Sequence, residues 1–262
     1  MLVQRTLTNS INAVGIGLHS GREISIKLLP AAEDTGIIFR RVDFSPPVEI
    51  KAIVNNVGAT TLATTLMQGE VQISTIEHML SAFAGLGIDN AIIEIDDVEV
   101  PIMDGSSSSF VFLIQSAGIK EQTKPKKFIK IKEEISVETD NGAFVKLSPY
   151  DGFKVTYSLV YDDDKHKQYS SKSTIDFNST TYLKEISRAR TFGFMEEVNM
   201  LKDKNLALGA SEKNAIAIGE DGIINEEGLR SKDEFVKHKI LDVVGDLYLL
   251  QYNIIGEFEG YK

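Results

Sequence analysis

Two stretches far apart in the chain follow one plan. Glu77-His78 stands near the start of a helical pattern that passes through a glycine turn into Ala91-Ile-Ile-Glu-Ile95. Lys237-His238 stands in a second helical pattern that runs into Asn253-Ile-Ile-Gly-Glu257. From the His to the Ile-Ile pair is 14 residues in the first stretch and 16 in the second. A 262-residue chain with this echo is held to a narrow set of folds. The expectation is two similar α+β halves, each running strands, then a helix carrying a His, then a strand. The two halves should face each other. Thr123-Lys-Pro-Lys-Lys127, with its Pro and charge run, is the best linker. That places a first domain at 1–122, a linker at 123–127 and a second domain at 128–262.

The local patterns fill in this frame. Residues 24–29 alternate, turn through Pro-Ala-Ala-Glu-Asp-Thr-Gly and resume at 37–41, which reads as a β-hairpin. Ser74-Thr-Ile-Glu77 has capping-box form, with Ser74 as N-cap and Glu77 at the third helical position. Ile76, Met79, Leu80 and Phe83 then recur at helical spacing until Gly85 and Gly87 end the helix. Residues 110–117 read as helix, 144–147 and 153–161 as strands, and 186–189 and 199–203 as short helices. The longest helix should cover 232–250, closed by a strand at 254–258. Residues 124–132 allow a basic patch, but their alternation with Phe128, Ile129 and Ile131 favours a solvated strand face. Residues 162–166 read as a charged loop that includes His166.

Composition excludes several functions. A net charge of -10 argues against a general nucleic-acid binder, which needs a basic face to release counterions. The absence of Cys removes disulfides, thiolate metal sites and a cysteine nucleophile, and fits a reducing compartment. The N-terminus has no apolar core ahead of a small-residue cleavage site, and no run of 18 apolar residues occurs. The expected location is the cytoplasm, with no membrane-spanning segment.

Chemistry narrows to few residues. His238 and Asp242 are four apart, so on a helix they share a face one turn apart, where both can reach one cation. An ordinary His–Asp surface pair has the same spacing. His78 offers a third ligand, giving His, His and Asp with a fourth coordination position open, the pattern of a catalytic metal site. Glu77 beside it is a natural base for a water; the bland reading is a capping Glu next to a packed His. Gly15-Ile-Gly-Leu-His-Ser-Gly21 misses the dinucleotide-binding glycine register by one place. Arg188-Ala-Arg-Thr-Phe-Gly-Phe194 fits either the rim of an anionic, ring-bearing ligand or a buried turn. The peptidase signature His-Glu-x-x-His is absent.

Five segments now stand together in order: Gly17-Leu-His-Ser-Gly21, Ser74-Thr-Ile-Glu-His78, Pro101-Ile-Met-Asp-Gly-Ser106, Ile186-Ser-Arg-Ala-Arg-Thr-Phe-Gly-Phe194 and Asp233-Glu-Phe-Val-Lys-His-Lys-Ile-Leu-Asp-Val-Val-Gly-Asp246. With these the whole chain closely resembles the bacterial UDP-3-O-acyl-N-acetylglucosamine deacetylases of lipid A synthesis. The resemblance implies two α+β domains whose helices pack at an interdomain active site, in a cytoplasmic, monomeric, metal-dependent amidohydrolase that takes an acylated UDP-glucosamine and releases acetate. It implies zinc, or ferrous iron in its place, on His78, His238 and Asp242, with Glu77 as general base. It implies that Thr191 stabilises the oxyanion, and that His19, Phe192, Phe194 and Lys239 contact the substrate. An insert at about 191–217 would enclose the acyl chain with Phe194, Met195, Leu201, Leu206 and Leu208. The family continues past the position of Lys262 into a Ser-Gly-His segment and a terminal helix. That His is its usual general acid, supported by an Asp matching Asp246. A rival reading follows: a truncated, catalytically impaired chain that binds metal and the acylated UDP-sugar.

Overall fold

The computed structural model describes residues 2–262. Its first half holds β1 (Val3–Leu7), β2 (Ile11–Ile16), β3 (Glu23–Pro30), β4 (Ile37–Arg41), β5 (Val48–Lys51), β6 (Leu66–Gln68) and β7 (Val71–Ile73). Then come α1 (Glu77–Leu86), β8 (Ala91–Ile95), α2 (Ser108–Ala117) and β9 (Ile119–Pro125). The second half begins with β10 (Phe128–Lys130), β11 (Ile135–Glu138), β12 (Phe144–Ser148), β13 (Phe153–Leu159) and β14 (Ser171–Asp176). A short α3 (Ser179–Thr181) continues as a π turn to Ile186, followed by β15 (Phe192–Phe194), α4 (Met195–Asp203), β16 (Ile216–Gly219) and β17 (Gly222–Ile223). The described chain closes with α5 (Glu234–Leu247) and β18 (Asn253–Tyr261).

The echo in the sequence becomes a repeat of topology. One sheet has the order β2-β3-β8-β4-β5 and the other β11-β12-β18-β13-β14. In each, the strand after the His-bearing helix lies at the centre, antiparallel to one neighbour (β3 or β12) and parallel to the other (β4 or β13). The outer strands are antiparallel in both. The fold is therefore α+β, built as two layered units of the same plan.

Four local expectations are corrected. Strands β3 and β4 do not form a hairpin, because β8 inserts between them. Ala91, Ile93 and Ile95 are buried, and a central slot hydrogen-bonds such a strand on both edges. The capping box does not form either. Thr75 adopts a left-handed φ of 58°, so the N-cap falls on Ile76 without a side-chain bond. Ser74 Oγ donates to Val98 O instead, and the Glu77 carboxylate turns to Thr64. Helix α1 runs through Gly85 and stops at Gly87, which takes the left-handed C-cap. Gly85 is there for close packing, since a Cβ would lie 2.2 Å from the Tyr182 ring. The helix expected at 186–189 ends at Ile186.

Every residue of α1 is buried, which marks an enclosed central helix rather than an amphipathic surface one. It packs on its own sheet and on α2, and across the boundary it meets α5. The last contact is unusually close. At Gly245 a Cβ would stand 2.0 Å from the Glu77 carbonyl oxygen, so only glycine lets the two backbones touch. No helix among the described residues is long and apolar enough to cross a membrane.

Candidate metal centre

Backbone contact between Gly245 and Glu77 sets the site. One turn before Gly245 on α5 is Asp242, and one residue after Glu77 on α1 is His78. The crossing therefore brings these side chains together from opposite halves. His78 Nε2 lies 3.5 Å and His238 Nε2 3.4 Å from Asp242 Oδ1. The rings are edge to face at 4.8 Å between centroids. Ligand atoms of His78, His238 and Asp242 all fall within 4.8 Å of one another, so the group could hold a metal ion.

The donor set fits a cation. His238 Nδ1 lies 3.0 Å from the Ala189 carbonyl, which makes Nδ1 the donor and leaves the Nε2 lone pair facing Asp242. His238 is 2% exposed and His78 4%. Asp242 Oδ1, which both Nε2 atoms face, is buried without a hydrogen-bond partner, a costly state that a shared cation relieves.

Charge is tightly coupled here. Burial disfavours the ionised form of Asp242, but His238, Lys239 and His78 together hold its carboxyl well below the usual range. Burial also opposes a charge on His78, yet Asp242 and Glu77 outweigh it and raise that pKa. For His238 burial prevails, aided by the cations His78 and Lys239, and takes the pKa down to about 4. A neutral imidazole is the metal-binding form.

Glu77, 8% exposed, is pushed up to about 7, first by burial and then by the negative charges of Asp242 and Asp246 against the pull of His78. Asp246 rises to about 6 through desolvation and Asp242, opposed by a hydrogen bond from Thr64. A carboxyl whose pKa is higher folded than unfolded binds its proton more tightly in the native state, so stability falls as pH rises between the two values. For Glu77 that window runs from its ordinary 4.5 to about 7. Across it, metal-free protein should lose roughly 3 kcal/mol relative to the Glu77→Gln variant. Urea unfolding in chelator at both ends of the window checks this, and parallel pH profiles for the two proteins would contradict it.

Several expected residues adjoin the group. Lys239 Nζ is 3.3 Å from Asp242 Oδ2 and sits 5.5 Å above the Phe192 ring, which is 6.2 Å from the His238 ring. Thr191 follows closely on Ala189. Its N–H donates to the Gly105 carbonyl and its own carbonyl accepts from Ile216, so both halves hold it. No hydrogen bond or ring contact joins His19 or Phe194 to the three ligands. His19 has both ring nitrogens buried and unpartnered, on a loop whose N–H groups bind Glu99. Phe194 lies instead in a ring cluster with Tyr161, His166 and Tyr169, at 5.5, 3.9 and 5.8 Å. That cluster gives the loop at 162–166 a packed histidine where sequence reasoning sees only charge.

Beside it, β15, α4 and β16 enclose a cavity of about 220 Å³ lined by Met195, Val198, Ala215, Ile216, Ala217 and Ile224, among others. Of the five apolar residues expected along an acyl passage, Met195 alone lines this cavity. Leu208 is 48% exposed and rests on Gly21. Sequence reasoning also misses Thr64, Ala189 and Gly245. Only the glycine carried a signal, as the one residue without a Cβ between Asp242 and Asp246.

Fold and site define an α+β protein of doubled topology with a candidate metal centre where its two central helices cross. The family described as UDP-3-O-acyl N-acetylglycosamine deacetylase matches residues 4–262, and the chain belongs to that family. Relatives named UDP-3-O-acyl-N-acetylglucosamine deacetylase are 57% identical in Pseudomonas entomophila, 56% in Methylococcus capsulatus and 53% in Cellvibrio japonicus. Each alignment spans 262 residues, all of this chain and 86% of the relative.

Proposed function

We propose that this chain removes the N-acetyl group of UDP-3-O-(3-hydroxyacyl)-N-acetylglucosamine by metal-dependent hydrolysis, in the cytoplasm and as a step of lipid A synthesis. The observation that carries the reading is the His78–His238–Asp242 group, with both histidines and the neighbouring Glu77 buried, in a chain of this family. Zinc, or ferrous iron, held by those three residues supplies Lewis acidity at the amide carbonyl and toward water.

The chain's own groups do the rest. Glu77 takes a proton from the attacking water as its oxygen bonds to the acetyl carbon. Buried beside the ligands, it can both accept that proton and give it up to the departing amine. The Thr191 hydroxyl donates to the oxyanion, where charge develops. As the C–N bond breaks the amine takes that proton back from Glu77, with Asp246 tied to the same carboxyl through Thr64, and acetate leaves. Lys239 and Phe192 hold the sugar-nucleotide by charge and by the ring face, with His19 and Phe194 as further contacts. The cavity beneath β15 and α4 takes the apolar acyl chain.

The test is acetate release by metal-loaded protein from the acylated sugar-nucleotide and from one lacking the 3-O-acyl chain. Each buried methylene is worth about 0.8 kcal/mol, so three alone favour the acylated substrate by roughly fiftyfold. Equal kcat/KM for the two substrates defeats the assignment of the cavity. No acetate from either defeats the deacetylase reading.

A further inference from the structure

Among the described residues, Thr64 is hydrogen-bonded to both carboxylates that flank the metal group. It lies in a loop that closes on itself, with the Gly58 N–H bound to Thr65 O and the Thr65 N–H to Ala59 O. Met67 packs over Gly58, where a Cβ would come within 2.4 Å of its sulfur. From this base the Thr64 N–H donates to Glu77 Oε2 at 3.1 Å. Its hydroxyl donates to Asp246 Oδ1 at 2.8 Å, across 182 residues of sequence. Glu77 and Asp246 carry like charge and face one site, so repulsion drives them apart unless a donor holds both. Thr64 does so without adding charge, and hydrogen bonds to a carboxylate are among the stronger kind.

We propose that Thr64 is a positioning residue, which clamps Glu77 through its backbone and Asp246 through its hydroxyl and so sets the spacing of the two carboxylates across the boundary between the halves. The inference rests on the roles given above to Glu77 and Asp246. A side-chain change spares the backbone bond and removes only the hydroxyl bond. Thr64→Val keeps the shape of the side chain, and Thr64→Ser keeps the hydroxyl.

The experiment compares Thr64→Val, Thr64→Ser, Asp246→Ala and the Thr64→Val/Asp246→Ala double variant, metal-loaded, on the acylated sugar-nucleotide. Thr64→Val should lower kcat about ten- to a hundredfold, the range for a hydrogen bond to a charged group. KM and metal content should stay within about twofold, and Thr64→Ser should recover most of kcat. On the Asp246→Ala background the Val change should cost almost nothing. Parental kcat in Thr64→Val overturns the proposal. So does a Val effect that is undiminished without Asp246, because the hydroxyl then acts elsewhere. If the parent releases no acetate, it is the deacetylase reading that fails. Thermal unfolding of the same proteins still decides the clamp: non-additive losses in Tm support it, and additive losses overturn it.

Discussion

Replacing His238 by Ala is expected to strip the chain of its divalent ion. The ring is fixed by the Ala189 carbonyl, and its Nε2 lies 3.4 Å from Asp242 Oδ1. Zinc held by a full set of protein ligands is worth roughly 10–16 kcal/mol, so losing one of three ligands costs several kcal/mol, or about three orders of magnitude in affinity. Metal analysis after dialysis should find the variant near empty and the parent with one ion per chain. A melting curve shows whether the variant remains folded around the cavity the ring leaves. Full retention of the ion by folded His238→Ala sinks the ligand assignment.

Glu77→Gln should lose about 10²–10⁴-fold in kcat while keeping its metal. The amide oxygen of Gln can still accept from the Thr64 N–H, so the change removes the basic carboxylate and little of the geometry. The side chain is buried, and burial pushes its pKa up toward that of an effective base. Single-turnover acetate release, with metal content measured on the same samples, separates loss of the base from loss of the ion. A Gln variant as fast as the parent shows that another group takes the water's proton.

Much of this was written locally in the chain. Helical spacing of Ile76, Met79, Leu80 and Phe83 marks α1, and the four-residue step from His238 to Asp242 marks one face of α5. The paired His-to-strand echo marks the doubled plan, and the five ordered segments mark the family. Periods of 3.6 and 2 residues and short motifs depend on near neighbours only, so a sequence can display them.

Other features depend on partners that local patterning does not identify. β3 and β4 look like a hairpin until β8, more than 40 residues further on, offers a better-buried edge to each. Ser74 and Glu77 have the spacing of a capping box, but Val98 and Thr64 compete for their side chains, and the left-handed turn at Thr75 settles the contest. Local periodicity and motif therefore determined the helices, most strands and the three residues of the candidate metal group. Only tertiary packing decided the centre itself, because the Gly245–Glu77 crossing and the Thr64–Asp246 bond join the two halves and the Ala189 carbonyl reaches His238 from 49 residues away.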